Sequence, residues 1–309
     1  MTMRILSLSA VLAGLLAAAG PAGATPLPET CAQARTGGLS VSGNVAAARD
    51  YVLRFSPGGE APSLHARMVT VKGGDAAGTD ARDILNAASL VLLGALTNHH
   101  GAGCPSEYFA SSVGPLLNGL KAGQGYDVAW TAPVVNNGGA RLSFAALHLH
   151  LGGAELGGPV VVALDVRDAQ ASGNTVLASL LPQQARSNFS IPAQSLGPLL
   201  AATAGHPARS VLVPVTITTL MAQHGDLRLN GRGTAMLTGN ADANSAAGHL
   251  SLSNLPELIA TLRAAGQARA TTALILANLV GRHADADTSW DVEWQGGVLT
   301  INQIPLPLR

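Results

Sequence analysis

The sequence predicts an α+β fold built on a mostly antiparallel β-sheet with a few packing helices. Short runs that alternate apolar and polar residues recur between residues 64 and 304, and this spacing is typical of half-buried strands. Gly296-Gly297 separates two such runs, which is a strong hairpin pattern. Helical spacing occurs in only a few segments, and a β-rich chain with few helices favours the α+β class.

The composition excludes several classes of protein. Hydrophobic residues make up 47% of the chain, charged residues 12% and aromatic residues 3%, with a formal net charge of zero. Disordered chains are poor in apolar residues, and nucleic-acid-binding proteins normally carry surplus positive charge and stacking aromatics. Average proteins have about 25% charged residues. The shortage of charge therefore indicates either a neutral secreted surface or a sheet face reserved for an apolar ligand.

The N-terminus predicts a secretory signal peptide over residues 1–24. Arg4 supplies a positive charge, an apolar stretch follows from Ile5 to Gly20, and Ala22-Gly23-Ala24 has the small residues of a cleavage site. An uncleaved membrane anchor is the alternative. No apolar run of about 18 residues follows, so a multi-pass membrane protein is excluded. We therefore expect a periplasmic location, with a helix-containing region at 25–124 and a β-rich region at 125–309.

Cys31 and Cys104 are the only cysteines. In an oxidising compartment an even pair indicates one disulfide, which here ties the N-terminal arm to the segment after the first long helix. A metal-binding pair or a catalytic thiol is the alternative, although no Cys-x-x-Cys pattern occurs.

The region 25–124 predicts one strand and two helices. A strand is expected at 64–72, followed by a turn at Gly73, Gly74 and Gly78. Thr79 or Asp80 can cap a helix over 81–98, whose apolar residues recur at helical spacing. A weaker helix at 106–120 is interrupted by Gly114-Pro115.

The region 125–309 begins with strands and ends with two helices and a hairpin. We expect strands at 125–131, 140–151, 159–168, 210–222, 226–238 and 248–252, a short helical turn at 176–181 and a helix at 192–204. Asn230-Gly231 predicts a bulge or bend. Asn254 caps a helix that carries Pro256 early and ends at Ala265, and a second helix covers 270–279. Strands at 289–295 and 298–304 close the chain.

Three segments near the C-terminus carry a family resemblance in their pattern of apolar positions. They are Leu227–Ala235, Gly248–Leu255 and Gly297–Leu306, the last with Gln303 where the family pattern usually has Gly. The last third of the chain thereby resembles the domain-of-unknown-function 2125 family of proteobacterial envelope proteins, which are similar in style to AsmA-like proteins. The resemblance implies a periplasmic protein with long curved sheets, an apolar concave face and a link to lipid transport. It implies no catalytic residue.

Histidine offers the main candidate for chemistry, because nucleophile-elbow, Ser-x-x-Lys, phosphate-loop and dinucleotide patterns do not occur. His148 and His150 lie two apart on a predicted strand and so share a face, where two imidazoles can bind one metal. Glu155, His65 or His99-His100 would have to supply a third ligand. The alternative is a solvent-facing pair. Calcium binding or a solvated turn is the interpretation of Asp285, Asp287 and the loop 240–244.

Trp290, Val292 and Trp294 are predicted to share one face of the strand at 289–295. These three residues either make ordinary sheet packing contacts or form the wall of an apolar ligand groove. We therefore predict a non-enzymatic periplasmic or secreted protein that binds or shields an apolar ligand such as a lipid. It would need no cofactor, and an envelope protein is a further possible partner. The alternatives are a secreted structural or protein-interaction module and a hydrolase that uses a metal at His148 and His150.

Overall fold

A computed structural model describes residues 27–56, 61–74, 81–97, 104–172, 181–203, 211–238 and 243–306. The expected signal peptide at 1–24, the caps Thr79 and Asp80, His99-His100, and most of the turn at 176–181 lie outside these ranges, as do residues 240–242. Within the described ranges, no helix is long and apolar enough to cross a membrane.

The described strands form one open, antiparallel sheet, and helices pack on it, which confirms the predicted α+β class. The strands are β1 (Ala32–Arg35), β2 (Gly38–Ser42), β3 (Val45–Phe55), β4 (Ser63–Gly73), β5 (Tyr126–Thr131), β6 (Val134–Asn137), β7 (Ala140–Ser143), β8 (Ala146–Gly152), β9 (Pro159–Arg167), β10 (Gln170–Ser172), β11 (Gln184–Pro192), β12 (Val213–His224), β13 (Leu227–Leu237), β14 (Ser245–Ser253), β15 (Arg282–Ala284), β16 (Asp287–Gln295), β17 (Val298–Ile301) and β18 (Ile304–Leu306). The helices are α1 (Ala81–Thr97), α2 (Ser106–Lys121), α3 (Leu196–Thr203), α4 (Leu255–Ala264) and α5 (Ala268–Val280).

The sheet is a meander when each pair of interrupted short strands is counted as one strand, because these longer strands then pair mainly with their neighbours along the chain. The short strands β5 and β6 are halves of one longer strand. Met68 of β4 pairs with Thr131 of β5, and His65 of β4 pairs with Val134 of β6, in one continuous ladder. The pairs β1/β2, β7/β8 and β9/β10 are related in the same way. The ladder also runs without a break from β4 to β5, across the expected regional boundary at residue 124.

The interruptions within these strands lie side by side. Ala132 separates β5 from β6, and its amide donates to the carbonyl of Ala145, which separates β7 from β8. The amide of Ala145 in turn donates to the carbonyl of Arg167, next to the break between β9 and β10. Asp50, Ala132 and Asp168 in this row have φ of 49°, 49° and 50°. Left-handed backbone is uncommon for residues other than glycine. Three such residues in one row therefore indicate a specific structural feature of the sheet.

This row changes which residues face the core. In β3 the buried residues are Ala46 and Ala48 before Asp50, but Tyr51, Leu53 and Phe55 after it. Side chains alternate between the two faces of a strand, so one left-handed residue shifts the alternation by one position. A strict period of two therefore fails across the row, which is why the strand expected at 140–151 is two strands, β7 and β8.

Helices α1, α2 and α3 bury the larger apolar core against one face of the sheet. Apolar side chains from strands β1 to β13 contribute to it. Its fully buried members include Leu53, Leu64, Val69, Val71, Ile84, Leu85, Leu93, Leu120, Tyr126, Val128 and Trp130. The burial of this many large side chains, at roughly 1.5–3 kcal/mol each, is the main favourable contribution to folding.

Helices α4 and α5 bury a second, smaller core on the same face. Its buried members are Leu252, Leu255, Ala277, Trp290 and Ile301. On β13, Ala235 packs against the first core and Leu229 against the second. Because these two residues are six positions apart, they project from the same side of the strand. One sheet face thus carries two separate helical layers.

Glycines occupy the sheet face between the two cores. Gly233 of β13 lies opposite Gly248 of β14 in the ladder. A Cβ at Gly233 would collide with the backbone of Ala247 and Gly248, and a Cβ at Gly248 would collide with the carbonyl of Arg232. The pair therefore lets the two backbones approach closely.

Several expected elements differ in detail. Helix α2 runs unbroken through Pro115, which lies inside it. Asn254 is at the N-cap position of α4, but its φ is 58° and its side chain makes no cap; the Nδ2 group donates instead to the carbonyl of Asp226 at 2.9 Å. The bulge expected at Asn230-Gly231 lies in the partner strand β12, where the register shifts between Ile217 and Leu220.

The strand expected at 298–304 is divided by a second tight turn. Ile301 of β17 pairs with Ile304 of β18, and the two turn residues between them, Asn302 and Gln303, have φ of 46° and 69°. Two positive φ values are those of a type I′ turn, which strongly prefers Asn-Gly. The Gly of the resembling family pattern falls on the second of these positions, and here Gln303 occupies it.

Cys31 and Cys104 are joined by a disulfide, with their Cα atoms 4.1 Å apart. It connects the turn before β1 to the segment between α1 and α2, as the sequence predicts. Both residues are buried in the larger core. Because 73 residues separate them, the cross-link restricts a large part of the unfolded chain.

Replacing both cysteines with alanine should lower the free energy of unfolding by roughly 4 kcal/mol, through the restored freedom of the unfolded chain. Urea denaturation followed by tryptophan fluorescence measures the change. The native protein in excess dithiothreitol is the control and should reach the same midpoint. A double variant with the midpoint of the oxidised protein would contradict this account.

Replacing Gln303 with glycine should raise the free energy of unfolding by about 1 kcal/mol, because glycine adopts left-handed backbone without the steric cost that a side chain incurs. The matched control is Gln295→Gly in β16, where the backbone is extended and glycine should instead be destabilising by about 0.5–1 kcal/mol. The same urea titration compares them. Destabilisation by Gln303→Gly would show that the turn is not of this type.

Candidate functional site

Helix α1 carries a stripe of polar residues on its buried face. Asp83, Asn86 and Ser89 recur every three positions, and all three are buried beside the fully buried Ile84 and Leu85. Residues three apart lie on one side of a helix. Buried polar groups are costly unless they are hydrogen-bonded, so this stripe needs partners on the sheet.

Two aromatic residues of the sheet supply the partners of Asn86 and Ser89. The Tyr51 hydroxyl of β3 donates to Asn86 Oδ1 at 2.8 Å, and Trp130 Nε1 of β5 donates to Ser89 Oγ at 3.0 Å. Burial raises the pKa of Tyr51 well above its usual range, and a side-chain hydrogen bond with Ser89 opposes this only in part. The hydroxyl therefore stays protonated. These bonds fix the position of α1 along the sheet.

A cleft of about 530 Å³ lies where the start of α1 faces the first strands of the sheet. Its apolar lining comes from β1 to β3, α1 and the chain before β1. These residues are Leu27, Ala32, Ala34, Leu39, Ala48, Tyr51 and Leu85. A volume of this size is in the range of small-molecule sites, about 300–1,000 Å³, and such sites are mainly apolar.

Charged residues also line this cleft, which we call the edge cleft. The charged lining residues are Arg35, Arg82 and Glu29, which are all exposed, whereas Asn86 is buried. Strands β1 and β2 pair only with β3 among the described strands, so the cleft lies along an open edge of the sheet. Arginine binds carboxylates and phosphates through two parallel hydrogen bonds. The arrangement suits a ligand with an apolar body and an anionic end.

A second depression, of about 700 Å³, lies at the row of strand interruptions. Ser143, Asp168, Gln170, Gln183 and His224 are among its lining residues. Its lining is more polar than that of the edge cleft, so it is the weaker candidate for an apolar ligand.

Trp290, Val292 and Trp294 do share one face of β16. They pair in register with Leu250, Gly248 and Ala246 of β14. Helix α5 covers Trp290, whose Nε1 donates to the carbonyl of Ala277 at 2.7 Å, and Val292 packs against the second core. Trp294 is half-buried beyond the helix. Their role as a groove wall stays a prediction, since the helix closes the end of this face at Trp290.

His148 and His150 lie on the solvent-facing side of β8, where both contact Asp127 of β5. The distances to Asp127 Oδ1 are 3.3 Å from His148 Nε2 and 2.8 Å from His150 Nδ1. Within the described ranges, no group of three or more His, Cys, Asp or Glu residues is arranged to hold a metal ion. Glu155 lies instead in a short 3₁₀ turn. His65 is on β4, where burial and the nearby Arg54 and Arg141 lower its pKa.

Asp285 and Asp287, weighed as calcium ligands, lie at the turn between β15 and β16. Both are exposed, and Asp287 accepts a hydrogen bond from the Ser253 hydroxyl at 2.5 Å.

The sequence analysis did not predict the residues of the edge cleft as a candidate site. Strands β1, β2 and β3 were not expected, because alanines occupy both faces of β3 and blur the alternation. A usable indication did exist in α1. Asp83, Asn86 and Ser89 interrupt an otherwise apolar helix face at helical spacing, and polar residues at core positions point to a specific contact.

Replacing Asn86 with alanine should lower the free energy of unfolding by about 1–3 kcal/mol, because the buried Tyr51 hydroxyl loses its acceptor. Adding Tyr51→Phe should cost less than the sum of the two single changes, since it removes the orphaned donor. Urea denaturation of the four proteins gives the coupling energy. The control is Asn230→Ala on the exposed side of β13, expected to stay within about 0.5 kcal/mol of the native protein. Strict additivity would contradict the bond.

Comparison with known proteins finds no family model, no curated protein and no solved structure that matches this chain. The resemblance of the C-terminal third to an envelope-protein family therefore stays a prediction.

Proposed function

We propose that this protein is a non-enzymatic binding protein of the periplasm or extracellular space, with an amphipathic, lipid-like ligand in the edge cleft. The observation that carries the proposal is the lining of that cleft. Apolar side chains from the core face of β1 to β3 meet α1, and Arg35 and Arg82 lie at the same cleft. A fatty acid or a lysophospholipid has the matching chemistry, with an apolar chain and one anionic end.

The energetics of such a site favour a chain-like ligand. Apolar area removed from water contributes about 25 cal/mol per Å², so an acyl chain in the cleft gains several kcal/mol before the cost of its ordering. An arginine contact with the anionic end adds a charge-assisted hydrogen bond of about 1.5–3 kcal/mol. The charged residues of the cleft lining are Glu29, Arg35 and Arg82, and the Tyr51 hydroxyl is engaged by Asn86.

The proposed location rests on the N-terminal sequence, the disulfide and the family resemblance. The N-terminal sequence has the parts of a cleaved signal peptide, with Arg4, an apolar stretch and Ala22-Gly23-Ala24. Cys31 and Cys104 form a disulfide, and disulfides persist in oxidising compartments such as the periplasm. The family resemblance of the C-terminal third implies the same compartment.

Filling the cleft should abolish ligand binding. Ala34, half-buried on β1, lines the cleft, so Ala34→Trp should weaken the binding of the fluorescent fatty acid cis-parinaric acid by about tenfold or more. The matched control is Ala47→Trp, which adds the same side chain on the opposite face of neighbouring β3. Fluorescence titration of the native protein and both variants gives the dissociation constants. Equal affinity in all three proteins would show that the ligand does not bind in this cleft.

The arginine contact has its own test. Arg35→Gln should weaken the binding of a long-chain fatty acid by about tenfold, and leave the corresponding fatty alcohol unaffected, because only the acid carries the charge that arginine recognises. Native mass spectrometry of protein purified from cell envelopes gives an independent check. Protein that is consistently free of ligand, and that binds no fatty acid in titration, would overturn the proposed function.

A further inference from the structure

Helix α5 presents large apolar side chains to solvent on the side that faces away from its core. Leu279 is 75% exposed, Leu276 40% and Ile275 38%. The opposite side of the helix is buried through Ala277, which packs with Trp290 in the second core. An exposed, contiguous apolar patch is uncommon on a protein that works alone in water, and usually marks an interaction surface.

The exposed residues form one stripe along the helix. Thr272, Leu276 and Leu279 follow each other at spacings of four and three, and Ile275 lies beside them. At about 100° per residue, Arg269 continues the same stripe one turn nearer the start of the helix. We call these five residues the α5 stripe. It has an apolar end at Leu279 and a basic end at Arg269.

The charged residues along the chain on either side of the α5 stripe are arginines. No Asp or Glu occurs between Glu257 and Asp285, whereas Arg263, Arg269 and Arg282 all lie in that interval. The Arg282 guanidinium is engaged by Asp291 at 2.6 Å. Arg263 and Arg269 are exposed on either side of the α4–α5 connection, and neither makes an ion pair within the described part of the chain. An apolar surface bordered by arginines suits an anionic partner.

We propose that the α5 stripe docks this protein onto the surface of an anionic phospholipid membrane. The leucines and Ile275 would enter the boundary between headgroups and acyl chains, and Arg263 and Arg269 would contact lipid phosphates. This is the mode of interfacial helices, whose binding combines buried apolar area with attraction of basic residues to anionic lipids. A second copy of the chain fits less well, because the same face of that copy offers arginines but no carboxylate between Glu257 and Asp285 to pair with them.

Vesicle flotation tests the proposal on the full mature chain. The native protein should float with vesicles of phosphatidylcholine mixed with phosphatidylglycerol, and float much less with vesicles of phosphatidylcholine alone. The double variant Leu276→Ser/Leu279→Ser should partition at least about tenfold more weakly, because two apolar side chains no longer leave water. The matched control is Val161→Ser, which removes an apolar side chain that is 48% exposed on β9, and it should float like the native protein.

The charge contribution is tested separately. Arg263→Gln/Arg269→Gln should reduce flotation with phosphatidylglycerol vesicles by about tenfold or more, at roughly 1 kcal/mol for each basic residue. The same variant should leave the weak flotation with phosphatidylcholine unchanged. Raising the salt concentration should reduce the binding of the native protein more than that of the variant. Circular dichroism and urea midpoints establish that each variant is folded.

Three results would overturn the proposal. The first is a native protein that fails to float with anionic vesicles. The second is equal flotation by the native protein and a folded Leu276→Ser/Leu279→Ser variant. The third is a native dimer in light scattering that this variant converts to a monomer, which would assign the α5 stripe to a second copy of the chain.

This proposal goes beyond the edge cleft and does not depend on it. Ala34→Trp should lose cis-parinaric acid binding and keep vesicle flotation, whereas Leu276→Ser/Leu279→Ser should do the reverse. Failure of one proposal is therefore distinguishable from failure of the other.

Discussion

The seating of α1 on the sheet is the constraint on which the N-terminal part of the structure depends. An apolar helix face alone can slide or rotate on an apolar sheet at little cost, because hydrophobic contacts are not directional. The bonds from Tyr51 to Asn86 and from Trp130 to Ser89 remove that freedom, since any shift would leave buried polar groups without partners. Their position also defines the edge cleft, because Tyr51, Leu85 and Asn86 line it.

The low fraction of charged residues follows from how the sheet uses its two faces. One face receives two helical layers, so the inward residues of strands β3 to β17 are apolar or small, and the covering helices present apolar faces in return. The solvent-facing side carries much of the available charge as cross-strand groups, such as Asp165 with Arg186 and Asp291 with His249 and Arg282. These pairs are largely exposed and contribute little to stability. The low content of charged residues, 12%, is thus consistent with a sheet that exposes only one face to solvent.

Local patterns predicted what local physics determines. The hairpin at Gly296-Gly297, helices α1, α4 and α5, and the shared face of Trp290 and Trp294 all depend on spacing within one segment, and the structure has them. The burial of Trp290 under α5 depends on which distant element covers the face, and spacing carries no such information. Asp127 was likewise missed as the neighbour of His148 and His150, because the pairing of β5 with β8 depends on sheet register. Strand β11 was not predicted, because its residues are largely polar or small on both faces.

The two candidate surfaces differ in how they relate to folding. The apolar lining of the edge cleft belongs to the same side chains that form the larger core, so its composition is partly explained by stability. The α5 stripe has no such explanation. Ala277 and Leu274 already pack the helix against the second core, and leucines on the opposite side add nothing to that contact. A helix in this position would fold equally well with polar residues outside, and exposed leucines carry a risk of aggregation. Their presence beside Arg263 and Arg269 is explained by a partner that is both apolar and anionic.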